Sequence, residues 1–197
     1  MWQTLNAQSG KLALRSQEWI QTALFQLMEK KEYSHISITE IADRAGLARQ
    51  TVYRNFQDKD LILLNYLDGF MKGMWHDVGV GMKATFDEEM FVLLFRNWQR
   101  NAPAALIHSI LTKDRKIRQL IYKSICDYFD ELLATRRSEP GGNGEEAMHT
   151  HGLYAGKSLS SIVHMMLIEW TLNDFHLTPE QIGRVVSDLT ASIRAYL

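Results

Sequence analysis

Cysteine is almost absent from this chain. Cys126 stands alone, so no disulfide can close within one chain, and a reducing, cytoplasmic setting is expected. Only three prolines are present, which leaves few points where a helix must kink or stop. No apolar run approaches the roughly 18 residues of a membrane span, so no membrane partner is expected. The opening Met1 to Lys11 has no apolar stretch behind a basic one, and no signal peptide is expected. Charge of one sign is missing too. The formal net charge is −1, and residues 1–65 hold eight Lys or Arg against seven Asp or Glu. The chain thus lacks the global basic excess that advertises nucleic-acid binding, and any affinity for a polyanion must come from local placement. No Cys-x-x-Cys, Gly-rich phosphate loop or Ser-His-Asp grouping appears, so neither an enzyme nor a cofactor is expected. His149, His151, His164 and His176 do not suggest a metal, because two histidines two residues apart on a helix point to different faces. What is present is a hydrophobic fraction of 46%. That is enough for a core and argues against disorder.

The most informative stretch runs from Ser37 to Phe56. Ile38, Ile41, Ala42 and Ala45 recur at three- and four-residue steps, as one buried helical face requires. Ser37 with Glu40 forms a capping box at the start of that helix. Gly46 follows its last periodic residue, where a left-handed conformation costs glycine least. A second short helix then carries Leu47 and Val52 inward and leaves Arg49, Gln50, Tyr53, Arg54 and Asn55 outward. Small Ala42 opposite Gly46 lets the two helices cross closely, which is helix-turn-helix geometry. The outward set is rich in groups that hydrogen-bond base edges and phosphates.

Helical periodicity continues on both sides of this stretch, with no strand pattern and no internal repeat. Residues 1–10 read as a frayed lead-in. An amphipathic helix is expected from Leu12 to Lys31. Trp19, Leu24, Leu27, Ile36, Ile41, Val52 and Phe56 are the candidate core of the small domain. Asp58 is placed to cap a fourth helix from Lys59 to Gly79, with Gly79 and Gly81 ending it. Further helices are expected from Asp87 to Asn101, from Pro103 to Thr112 and from Asp114 to Arg137. Residues 138–144 read as a loop, followed by a long helix from Glu145 to Asn173. Thr178, Pro179 and Gln181 mark the start of a last helix reaching Tyr196. The expectation is an all-α chain of about nine helices.

Ile38 through Leu47, followed by Thr51-Val52-Tyr53-Arg54-Asn55-Phe56-Gln57-Asp58-Lys59-Asp60-Leu61, closely resembles the N-terminal domain of the tetracycline-repressor (TetR) family. The shared elements are the Ile-Ala pair, the Ala-Gly-hydrophobic turn, the Thr-hydrophobic-Tyr, the following Phe and the Phe-x-x-Lys. The resemblance covers about 50 residues in detail. It implies a homodimeric, ligand-responsive transcription regulator, with a DNA-binding domain over 1–58 and a helical effector-binding and dimerisation domain over 59–197. By position, Arg49, Gln50, Tyr53 and Asn55 match the family's base-facing surface, with Arg54 beside them. Thr39, Thr51, Tyr53 and Lys59 match phosphate contacts, which fix register. The expected partner is a pseudopalindromic DNA operator, from which a small organic ligand would release a repressor. An activator or co-regulator-dependent member with no small-molecule effector is the alternative. This sequence departs from the family at Ala48, where a capping Ser or Thr often precedes the recognition helix. Losing such a cap costs about 1 kcal/mol locally.

The remaining helices carry Trp75, Phe91, Phe95, Trp98, His108, Tyr122, Cys126, Met166 and Trp170, which could line an apolar ligand pocket. The same side chains serve equally as core filling, and Cys126 reads as a buried, inert thiol. For the homodimer, Gly152, Ala155, Gly156 and Val163 on the long helix and Val185, Leu189 and Ile193 on the last form the candidate interface. Burial of both stripes inside one subunit is the competing reading.

Overall fold

The computed structural model describes the backbone of residues 2–76, 86–137 and 146–197, with side chains over 13–74, 86–135 and 151–197. The expected end of the fourth helix at Gly79 and Gly81, the loop at 138–144, His149 and the side chain of Trp75 lie outside these residues. The described residues form ten α-helices and no strand. They are α1 (Trp2–Met28), α2 (Ile38–Ala45), α3 (Arg49–Asn55), α4 (Lys59–His76), α5 (Glu88–Asn101), α6 (Ala104–Leu111), α7 (Arg115–Arg137), α8 (Glu146–Leu172), α9 (Pro179–Leu189) and α10 (Ala191–Arg194). Among the described residues, no helix is long and apolar enough to cross a membrane.

Local chemistry sets most helix ends. Asp58 Oδ1 accepts from the Leu61 amide at 2.9 Å, and Asp87 Oδ1 accepts from that of Met90 at 3.0 Å. Asp114 Oδ1 accepts from the amides of Lys116 and Ile117 at the start of α7. The Thr178–Gln181 capping box is complete, with Pro179 in the first turn of α9. Two boundaries differ from expectation. α1 begins at Trp2 rather than near Leu12, because Gly10 alone, at about 1 kcal/mol, does not stop a helix. The last helix is broken at Thr190, whose Oγ1 donates to the Val186 carbonyl at 2.7 Å. Its backbone takes φ −101° and ψ 3°, away from helical values, and α10 restarts at Ala191.

The chain divides into two compact units, 1–66 with 103–117, and 67–102 with 118–197. This division differs from the 58/59 boundary expected from sequence. In the first unit, α1 packs on α2, α3 and α6, and α2 packs on α3. Ile62 and Leu63 of α4 are buried in the chain's core alongside Ile20, Leu24, Ile41 and Val52. Trp19 was an expected core residue but is 49% exposed, with Arg15 lying over its ring at 5.6 Å.

In the second unit α5 lies along α9, and α8 packs on α9 and α10. A Cβ added at Gly183 would lie 2.5 Å from Val92 Cγ2 and 2.8 Å from Val92 N, so only glycine permits α9 to approach α5 this closely. Large aromatics fill the unit. Phe95 meets Trp170 edge to face at 5.4 Å, and Phe86 meets Phe129 at 5.7 Å. Their polar neighbours are satisfied: Trp98 Nε1 donates to Thr171 Oγ1 at 3.1 Å, and Trp170 Nε1 donates to the Leu177 carbonyl at 2.9 Å.

Candidate nucleic-acid interface

The helix-turn-helix is fixed by hydrogen bonds at its ends. Ser37 Oγ accepts from the Glu40 amide at 3.3 Å, and Glu40 Oε2 accepts from the Ser37 amide at 2.9 Å, so both halves of the capping box are made. Lys31 pairs with the Glu40 carboxylate. That ammonium, followed by the two Ser37 donors, holds the Glu40 carboxyl down at about 2. At the far end of α2, Gly46 takes φ +68°, and the Leu47 amide reaches back to the Ala42 carbonyl at 2.9 Å. This left-handed closure turns the chain into α3.

α3 begins without a side-chain cap, because Ala48 offers no acceptor; its carbonyl receives the Thr51 amide at 2.8 Å instead. Val52 and Phe56 are buried and anchor the helix. Arg49, Gln50 and Arg54 are exposed, as is Tyr53 at 48%. Spaced at i and i+4, these four form one outward face. Among the described residues, no side-chain hydrogen bond or ion pair engages Arg49, Gln50 or Tyr53. Arg54 Nη2 donates to Thr51 Oγ1 at 3.3 Å, and Asn55 Nδ2 donates to the Thr51 carbonyl at 2.8 Å. The Asn55 Oδ1 is left for an outside donor. Thr39 is half-buried in the first turn of α2. The face therefore presents two guanidinium groups, an amide and a phenol on a short, rigid helix. These are the groups that read guanine, adenine and phosphate edges.

Lys59 is placed differently from the expected phosphate contact. Its Nζ donates to the carbonyls of Tyr33 at 2.7 Å, Ser34 at 3.1 Å and Ile36 at 2.8 Å. It also lies 4.7 Å from the centre of the Tyr33 ring. An ammonium has three protons, and here all three are taken by the turn before α2. Loss of solvation lowers its pKa below the ordinary lysine value. Tyr33, Asp60 and Lys116 join the same cluster, and none was singled out from sequence. The one hint was a bulky tyrosine in the connection between two helices.

The expected pocket residues are divided between the two units. Phe91, Phe95, Trp98, Cys126 and Trp170 are buried in the second unit, Met166 is half-buried and Tyr122 is exposed. His108 is exposed on α6, in the first unit. A cavity of about 20 Å³ in the second unit is lined by Trp98 with Phe70, Met71, Leu94, Ile121, Ser124 and others. That is room for about one water, against roughly 300–1,000 Å³ for a ligand pocket. The candidate dimer residues split as well. Gly152, Ala155, Gly156 and Val163 face inward, with Gly156 close against Leu133. Val185 is exposed, Leu189 is 53% exposed and Ile193 is half-buried. The outward apolar residues of α8 are instead Leu153, Met165 and Tyr154, the last 70% exposed.

Residues 20–66 match the family described as bacterial regulatory proteins, tetR family. No curated protein matches the chain. Among solved structures, a TetR transcriptional regulator from Streptococcus agalactiae 2603V is 16% identical, covering 94% of this chain and 98% of its own, with a TM-score of 0.58. The dihydroxyacetone kinase operon activator DhaS is also 16% identical, covering 91% and 97%, at 0.53. Thermus thermophilus FadR, a TetR-family repressor solved with lauroyl-CoA, is 17% identical, covering 89% and 93%, at 0.53. These likenesses show a shared fold. Over residues 20–66 the helix-turn-helix is thus similar to that of the tetR family of bacterial regulatory proteins, and the all-helical fold is one shared with solved TetR-family regulators.

Proposed function

We propose that the protein regulates transcription in the cytoplasm by binding a pseudopalindromic operator as a homodimer. The observation that carries this is the outward face of α3, where Arg49, Gln50 and Tyr53 stand exposed and uncommitted on a helix whose other side is buried. Two such helices related by a two-fold axis address successive major grooves about 34–36 Å apart. The exposed apolar side chains of α8 and α9 (Leu153, Tyr154, Met165, Val185 and Leu189) support a two-fold contact through these helices. Repression relieved by a small organic ligand is the family-typical mode, and linkage then requires the ligand to prefer the form that binds DNA poorly. Regulation without a small-molecule effector is the second mode.

Selection from random duplex DNA tests the reading directly. A consensus with two-fold related halves is the expected result, with affinity falling steeply as salt rises. Absence of salt-sensitive, sequence-selective binding would overturn it. Repeating the binding with a panel of hydrophobic and amphipathic small molecules separates the two modes.

A further inference from the structure

The turn that leads into α2 is held from behind by side chains of the first unit. Tyr33 is 1% exposed, and its hydroxyl donates to Asp60 Oδ1 at 2.8 Å. The second oxygen of Asp60 pairs with Lys116 Nζ at 2.6 Å. Lys59, the neighbour of Asp60, covers the Tyr33 ring and spends its protons on three carbonyls of the turn. Asp58 and Asp114 also lie near enough to act on this cluster electrostatically. The turn passes directly into Ser37, the cap of α2, and α2 carries α3. Where the turn sits therefore sets where the reading helix sits. Lys116 is the outlier of the set, since it belongs to the first turn of α7 rather than to the helix-turn-helix.

We propose that Lys59, Asp60 and Lys116 are positioning residues for operator binding. Lys59 and Asp60 fix the turn before α2, and Lys116 keeps the Asp60 carboxylate on the Tyr33 hydroxyl. Without Lys116, Asp60 is drawn towards the ammonium of Lys59, and Lys59 is drawn off the carbonyls it holds. Operator affinity then falls although no group that faces DNA has changed. The proposal rests on the DNA-binding reading above, and it makes residues 103–117 a part of the chain on which recognition depends.

The test uses the full chain and its selected operator over a series of salt concentrations. Lys116→Met and Asp60→Asn should each weaken binding about three- to tenfold, the scale of a partly exposed ion pair with hydrogen-bonded partners. The double variant should be no weaker than either single one, because the same pair is lost once. The slope of log K against log salt should stay unchanged, whereas loss of a phosphate contact lowers it by about 0.9. Lys59→Met should weaken every operator variant by about the same factor, again with the slope unchanged. Hydrogen exchange on free Lys116→Met should show faster exchange at residues 33–41 and none of that change in α5 or α9.

Additive losses in the double variant would overturn the proposal. So would a slope lowered by about one for Lys116→Met or Lys59→Met, or wild-type binding by Lys116→Met. If wild-type protein binds no selected sequence, the DNA reading fails, and unchanged exchange at 33–41 would separately refute the tie. Should Lys59→Met fold poorly, the two milder variants carry the same test.

Discussion

The two compact units solve opposite problems with similar helices. In the first, the polar groups do the specifying: Ser37 and Glu40 start α2, Gly46 ends it, and Lys59 holds the intervening turn. Its aromatic Tyr53 and its charged Arg49 are left outside. In the second, specification comes from packing. Phe95, Trp98 and Trp170 are turned inward, their indole protons are matched to acceptors, and Gly183 brings α9 against α5. Among its exposed residues are apolar ones on α8 and α9, Leu153, Tyr154, Met165, Val185 and Leu189. A surface rich in unspent hydrogen-bond donors suits a hydrogen-bonding partner such as DNA, and an exposed apolar stripe suits a second copy of the chain. The difference teaches that similar helices can be specified by polar groups at their ends or by the packing of their faces.

The sharpest way to break that contrast is on the apolar stripe. Leu189→Arg should give a monomer by analytical ultracentrifugation and weaken operator binding about a hundredfold or more, because the second half-site no longer benefits from linkage. Arg49→Ala acts on the other surface. It should cost about 1–3 kcal/mol at one base pair per half-site, seen as relaxed preference there in a repeated selection, with the dimer intact. Gly183→Ala strikes the packing alone. Forcing a methyl against the Val92 backbone should cost about 1–3 kcal/mol in denaturant unfolding and leave the selected consensus unchanged. Ala48→Ser supplies the cap that α3 lacks and should stabilise it by about 1 kcal/mol.

The smallest effect concerns Glu40. Its carboxyl titrates near 4.5 in the unfolded chain and near 2 when folded, so its contribution is complete above 4.5 and disappears as pH falls through 2. Helical chemical shifts in the first turn of α2 should decay over that window and not above it.

Much of the first unit was legible because its instructions are local. A capping box spans four residues, and a glycine at a helix end is read in place; both stand where the spacing put them. The same locality exposed Ala48. What escaped notice depends on parts of the chain that meet only in three dimensions. The inward turn of Lys59 needs the carbonyls of residues 33–36 beneath it, and the Asp60–Lys116 pair joins α4 to α7. Periodicity also could not tell which apolar stripe of α8 is inside. Small residues at 152, 155 and 156 suit a close subunit contact and an internal one equally, and they lie inside this chain. Trp19 misled for the converse reason: a large apolar side chain on a helical stripe can still rest on the surface beneath an arginine.

The 20 Å³ void among Trp98, Ile121 and Ser124 has a kinetic consequence. A molecule larger than a water that enters this void must wait for the side chains around it to part, so it binds a minor population, and its apparent affinity is reduced by the fraction of time the void spends open. Association would then saturate with its concentration at a rate set by the protein. Chemically different molecules would share that ceiling and differ mainly in how slowly they leave.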